Sequence, residues 1–461
     1  MMNNKRRSGR LLALGVVMML ITEPMALWAQ TGSGSPSGLT LPLAVEIALR
    51  RNPLVQAMAS QREIAAAEVE QAKAGRLPRL EFSETFTHSN NPVFAFGTLL
   101  EQGRFGPQNL AIDVLNNPAS LSNFRTAINL SLPLFNQLQT TTRIAQAHLA
   151  EQKAEAQQEL VRQQIRFQVI RAYYGVLVAE AQKEVADEAV RMAEADVERI
   201  RHLFEQGLVV ASDLLATEVQ LAEFRQQQIQ AQGHIRTAYA ALNTALGLPT
   251  DTPQTIEGQL QERTFHVPSQ AELMDLALRH RPDYRQATLD VRLRQQGIRG
   301  ALGQYLPRLN LFASFGNSGR GLASGSTDFT VGAGLTFQLF DWGRRARVRQ
   351  ARAARRAAQA QQQRKADEIR LDVVRAYQDF ISARERLKVA SRAVDRAEET
   401  LRIVQDRYEV GLTTITEVLR ARTALVRARM NLLSARYDYY VGYARTLLVS
   451  GRLRDVRPFT N

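Results

Sequence analysis

The sequence predicts an α+β membrane protein built by internal duplication, each half carrying a pair of β-strands and a hairpin of very long helices. Three observations predict it. One ordered set of motifs occurs twice along the 461 residues. Two proline-free stretches of about 65 residues keep apolar side chains at helical spacing. Segments upstream of each stretch alternate apolar and polar residues with the period of a strand.

The duplication is read by comparing the chain with itself. Ala48-Leu49-Arg50-Arg51-Asn52-Pro53 recurs as Ala277-Leu278-Arg279-His280-Arg281-Pro282, a shift of 229, and the same shift carries Leu77-Pro78-Arg79-Leu80 onto Leu306-Pro307-Arg308-Leu309. Leu130-Ser131-Leu132-Pro133-Leu134-Phe135 matches Leu335-Thr336-Phe337-Gln338-Leu339-Phe340 at 205, so the loop inside the first unit is 24 residues longer. Arg171-Ala172-Tyr173 and Glu205-Gln206-Gly207-Leu208 match Arg375-Ala376-Tyr377 and Glu409-Val410-Gly411-Leu412 at 204. The expected order in each unit is short helix, longer helix, strand, loop, strand, very long helix, tight turn, long helix. The first repeat spans 30–250, with strands near 80–135 and a hairpin over 137–247. A linker over 251–267 leads to the second repeat at 268–451, with strands near 308–340 and a hairpin over 344–450, and a tail over 452–461.

At the N-terminus, Lys5, Arg6, Arg7 and Arg10 precede an apolar run from Leu11 to Ile21, and small residues follow at Ala26 and Ala29. That order is an export signal over 1–29, with a mature chain from near Gln30. The run of about 11 residues is too short to span a membrane. No later stretch approaches a spanning helix, so entry into a membrane requires β-strands closed into a barrel.

The formal charge of +14 is spread through helical patterns. In an exported chain it reads as solvated helix faces, and nucleic acid is not an expected partner. The absence of cysteine excludes disulfides, thiolate metal sites, cysteine nucleophiles and a lipid on an N-terminal cysteine. Six histidines are scattered, and no His-Glu-x-x-His, phosphate loop or nucleophile elbow occurs. Gly332-Ala333-Gly334 lies within a strand and opens no helix, so a nucleotide site fails. No catalytic, cofactor or metal residue is assigned, and no enzyme is expected.

From Phe329 to Leu339 the chain alternates without a break, with Phe329, Val331, Ala333, Leu335, Phe337 and Leu339 on one face. Its counterpart places Ile128, Leu130, Leu132 and Leu134 outward against Ala127, Asn129 and Ser131. A soluble sandwich would alternate similarly; the export signal favours a lipid-facing barrel. The long helical segments, about Gln137–Leu203 and Arg344–Tyr408, would each form a rod of roughly 100 Å. Ile165, Val169, Tyr173 and Val176 return as Ile369, Val373, Tyr377 and Phe380. Such rods must lie beside other helices as a coiled-coil wall. Four strands cannot close a barrel, and open edges in lipid leave backbone groups unsatisfied, so several chains must share one.

This order, with Glu-Gln-Gly-Leu and Glu-Val-Gly-Leu at the hairpin turns and the run Arg407-Tyr408-Glu409-Val410-Gly411-Leu412-Thr413-Thr414-Ile415-Thr416-Glu417-Val418-Leu419, resembles the TolC-like outer membrane factor family over essentially the whole mature chain. The resemblance implies a homotrimer with a twelve-stranded outer-membrane barrel and a periplasmic α-barrel of twelve helices. It implies a passive exit duct for a tripartite efflux pump or type I secretion system, with a periplasmic adaptor and an inner-membrane pump of the RND or ABC type as partners.

Gly207 and Gly411 suit the left-handed turn that ends a helix, with Ser212 and Thr414 or Thr416 as candidate caps. Leu208, Val209, Val210 and Leu412, apolar on a loop tip, suggest a contact with the adaptor, or tip-to-tip packing between copies. The resemblance places Glu417 and Arg420 at the periplasmic aperture, and Asp213, Tyr408 and Thr413 at links between neighbouring hairpins. Arg420 stands where similar proteins carry a second acid, and Thr413 where an arginine is common.

Arg345, Arg349, Arg352 and Arg356 line one helix face below the last strand, suited to anionic headgroups or to water alone. Phe340 and Trp342 suit an aromatic girdle. The alternative from another class is an exported coiled coil or adhesin without a conduit. An adaptor would have one hairpin, and this chain has two.

Overall fold

The computed structural model describes residues 38–260, 263–322 and 324–459; the expected export signal lies outside them. The first repeat runs α1 (Leu41–Arg51), α2 (Pro53–Ala74), β1 (Arg79–Ser89), α3 (Pro92–Glu101), α4 (Ile112–Asn116), β2 (Leu121–Asn136), α5 (Gln139–Glu205) and α6 (Ala211–Leu246). The second runs α7 (Gln270–His280), α8 (Pro282–Gly303), β3 (Arg308–Gly321), β4 (Ser324–Thr336), α9 (Gly343–Glu409) and α10 (Ile415–Val449). The two orders coincide except for α3 and α4, which occupy the longer loop of the first repeat. No helix among the described residues is long and apolar enough to cross a membrane.

Each opening helix pair breaks at a proline. Asn52 and Arg281 precede Pro53 and Pro282 and take extended backbone angles, as the steric demand of the proline ring requires. Asn52 then caps α2, its Oδ1 accepting from Leu54 N at 3.0 Å, and its side-chain amide donates to Ala245 O at 3.1 Å. The long helices α5 and α9, 67 residues each, are rods of roughly 100 Å, paired with α6 and α10.

The duplication extends into the packing. In the first repeat Ala44 and Ala48 of α1 join the cluster that holds Ile165 and Val169 of α5. In the second, Leu273 and Ala277 of α7 join Ile369 and Val373 of α9. Phe265 stacks on Tyr443 with ring centroids 4.1 Å apart, and the tail residues Leu453, Val456 and Phe459 close the core there. Tyr173 donates to the carbonyl oxygens of Leu39 and Glu257, tying the segment before α1 to the linker between repeats.

The last helix of each repeat ends in a left-handed glycine, Gly247 at φ +75° and Gly451 at φ +70°. A Cβ on Gly247 would stand 2.7 Å from Asn52 Cα, and one on Gly451 would stand 2.7 Å from the His280 carbonyl carbon. Each glycine therefore lets its helix end against the α1–α2 or α7–α8 junction of its own repeat. The tip glycines Gly207 and Gly411 are also left-handed but meet open space, so there the requirement is conformational alone.

The four strands form one antiparallel sheet in the order β1-β2-β3-β4, so the repeats join through β2 and β3 and the edges of β1 and β4 stay unpaired. Two sequence expectations change at its helical end. The ladder between β3 and β4 begins with Arg308 opposite Thr336, and Pro307 before it has no N–H to donate, so Phe337, Gln338 and Leu339 lie beyond β4. The β2–β3 register shifts between Pro133 and Phe135, so Leu134 bulges out of the alternation.

Candidate functional site

The sheet has two chemically distinct faces. Register places Phe82, Ile128, Phe315 and Phe329 in one cross-strand row and Leu80, Leu130, Ala313 and Val331 in the next. Of the expected lipid-facing residues, Ile128, Leu130 and Leu132 on β2 and Phe329, Val331 and Leu335 on β4 share this face. Phe329, Val331 and Leu335 are exposed; Phe337 and Leu339 are exposed past the strand end, and Leu134 on its bulge. The opposite face carries Asn129, Ser131, Ser314, Thr330 and Thr336, and an ion pair in which Arg125 of β2 reaches Asp328 of β4 at 3.1 Å. A sheet apolar on one side and polar on the other fits the wall of a water-filled barrel.

At the far ends of the helices, the hairpin turns present Leu208, Val210, Val410 and Leu412 to solvent. Val209 differs from the expectation: it turns inward onto a cluster with Leu203, Leu214 and Tyr408, because a two-residue apolar step in a tight turn cannot expose every side chain. The helix starts differ too. Val210 and Thr414 occupy the capping positions and neither makes a side-chain cap bond, while Ser212 and Thr416 lie inside their helices.

Glu417 and Arg420 are exposed on α10 and paired with each other, Arg420 Nη1 to Glu417 Oε1 at 2.8 Å, at i, i+3 spacing. Tyr408 is half-buried, and burial, with the charge of Asp213 next, pushes its hydroxyl above the usual tyrosine pKa. Tyr408 and Asp213 thus come together, whereas Thr413 is half-buried beside the turn. Between these tips and the core lies a contact that no local pattern announces. Arg422 of α10 reaches Asp196 of α5, and also donates to Met192 O at 3.0 Å. Both side chains are buried, and burial pushes the Arg422 guanidinium below its ordinary pKa. Arg429, two turns on, bridges Glu188 of α5 and Glu398 of α9 at 2.8 and 2.9 Å. The contacts with Asp196 and Glu188 bind the hairpin of one repeat to that of the other, and the contact with Glu398 ties α10 to α9 within the second hairpin.

At the other end of α9, Arg345, Arg349, Arg352 and Arg356 are exposed, with no ion pair among the described residues, and Phe340 and Trp342 are exposed beside them. The described residues hold no cluster of groups able to bind a metal ion.

The family described as outer membrane efflux protein matches residues 44–248 and 273–446, the two repeats. The chain belongs to that family. It is 25% identical to the alkaline protease secretion protein AprF of Pseudomonas aeruginosa, over 89% of this chain and 84% of that one. It is 22% identical to the outer membrane protein TolC of Vibrio cholerae, over 97% and 96%. Its fold matches the CmeC outer membrane channel of Campylobacter jejuni with a TM-score of 0.74 at 18% identity, over 89% of this chain and 85% of that one. It matches the open-state MtrE channel of Neisseria gonorrhoeae at 0.73 and 18%, over 90% of each. The protein is a channel subunit of efflux or secretion machinery, placed in the outer membrane with its long helices in the periplasm, and the family is one of channels rather than enzymes. The coiled coil without a conduit is thereby set aside.

Sequence reasoning missed the Arg422–Asp196 pair. Removing one partner strands a buried charge: Asp196→Ala should cost about 3–5 kcal/mol, seen as a lowered thermal midpoint in detergent, and adding Arg422→Leu should recover most of it. An unchanged midpoint in the single variant would contradict this account.

Proposed function

We propose that the chain works as a homotrimer, a passive exit duct that receives its cargo from an inner-membrane pump of the RND or ABC type through a periplasmic adaptor. The observation that carries this reading is the half-finished sheet: four strands, an exposed apolar face and two unpaired edges, mounted on two long hairpins. Three copies would supply twelve strands, closing the edges around a lumen lined by the polar face. The long helices of the three copies would continue that lumen through the periplasm. An exposed stripe on α6, Leu215, Val219 and Ile229, supports such assembly, since a neighbouring copy would cover it. Aromatics Phe340 and Trp342 fit the interfacial girdle, and outer-membrane lipid would cover the apolar sheet face.

In this reading Glu417 and Arg420 ring the periplasmic aperture as paired charges, so the closed ring is neutral rather than anionic. Tyr408, Asp213 and Thr413 sit where adjacent hairpins meet. The turns Gly207-Leu208-Val209-Val210 and Gly411-Leu412 dock on the adaptor through the exposed Leu208, Val210 and Leu412, with Val209 supporting them from beneath.

Planar-bilayer recording tests the aperture. Glu417→Ala leaves unpaired arginines and should shift selectivity toward anions, and Arg420→Ala should shift it toward cations, by about a few fold in permeability ratio. Unaltered conductance and selectivity in both would remove these residues from the constriction. For the tips, Leu208→Asp should abolish copurification of the adaptor while conductance persists; retained adaptor binding would contradict that assignment.

A further inference from the structure

The repeats differ most at the end of the sheet remote from the long helices. In repeat two β3 ends at Gly321 and β4 begins at Ser324, whereas repeat one inserts residues 90–120 between β1 and β2. This insert folds back over the sheet, with α3 touching β2, β3 and β4. Its anchors are polar. Gln102, buried, donates to Ser122 O and to Asn123 Oδ1, both at 3.0 Å. Glu101 accepts from Ser318 Oγ at 3.3 Å and lies 3.5 Å from Arg125, which pairs with Asp328. Asn123, Arg125, Ser318 and Asp328 all belong to the polar face. Whatever turns that face to the lumen places α3 inside the mouth of the channel, away from lipid.

The outer surface of α3 is the reverse of what an aqueous mouth calls for. Ala95 and Thr98, 2% and 4% exposed, pack toward the sheet with Gln102 at i, i+3, i+7 spacing. Val93, Phe96 and Leu100 follow the same spacing on the other side and are 82%, 40% and 51% exposed. Phe96 also packs edge-on against Phe105 of the same insert, ring centroids 4.9 Å apart. The three large apolar side chains in register on one helix still present a contact stripe whose remaining exposure to water is unfavourable.

We propose that the stripe's occupant is the α3 of neighbouring copies of this chain, so that the inserts meet across the channel axis as an apolar lid at its outer mouth. The placement singles out this partner. The helix is fastened to the lumen side, which excludes lipid. It reaches β4, the edge strand that must pair with the next copy. The insert also occurs once per chain, so copies arranged around one axis bring equivalent stripes to its centre. Each lid is held to its own wall through Glu101 and Gln102, and cargo would part the stripes.

This inference rests on the shared-barrel reading, and the test separates the two. The chain has no cysteine, so single cysteines report cleanly. In outer membranes treated with a mild oxidant, Phe96→Cys should form disulfide-linked dimers, whereas Phe86→Cys, on the apolar sheet face at the same end, should not. In bilayers, oxidation should lower the conductance of Phe96→Cys channels about twofold or more, and dithiothreitol should restore it. Conducting channels whose Phe96→Cys copies stay monomeric, cross-link no better than Phe86→Cys, or conduct alike before and after reduction overturn the lid and leave the conduit standing. Wild-type protein that forms no conducting channel overturns the conduit itself.

Discussion

Everything in this protein follows from backbone hydrogen bonds that one chain cannot satisfy alone. The sheet ends in two bare edges and presents one apolar face, so in a bilayer each edge N–H and C=O would be left without water or partner at a cost of several kcal/mol per group. Only strands from other copies can supply those bonds while keeping the polar face around water. In the proposed trimer, closure of the barrel would fix the copies about one axis, and that arrangement would carry into the helices below.

The helices meet the opposite difficulty. Rods of roughly 100 Å have no compact core to enter, so their stability comes from lateral contacts distributed along them. The core cluster between the two ends joins both repeats, the linker and the tail. Nearer the tips, ion pairs join smaller apolar clusters: Arg422 with Asp196, and Arg429 with Glu188 and Glu398, hold α10 to α5 and α9. A buried ion pair of this kind adds little net stability but penalises any arrangement that separates it. That suits a tip whose two hairpins must keep one relative position.

Much of this was legible in the sequence, for definable reasons. Self-comparison located both repeats because sterically demanding positions, such as the prolines after Asn52 and Arg281, recur with them. Proline-free apolar periodicity gave the long helices to within two residues at each end, and the resemblance in the tip motifs pointed to the family that the comparisons then established. Strand ends were less legible: alternation continued through Leu339, yet Pro307 on the partner strand stopped the ladder at Thr336, and pairing is not a local property. Leu134 and Val209 were misplaced for the same reason, one by a bulge and the other by the curvature of a turn. The Arg422–Asp196 pair joins residues 226 positions apart on different helices, and no pattern within either helix marks it. The extra loop length was visible, but which face of the sheet it would cross depended on the tertiary fold.

If copies of this chain complete one another's sheet, the mass of the detergent-solubilised particle must show it. Sedimentation equilibrium with detergent density matched should give three times the mass of one chain, persisting on dilution. A particle with the mass of one chain, stable in detergent and folded by circular dichroism, would show that the edges of β1 and β4 need no partner and would contradict the account.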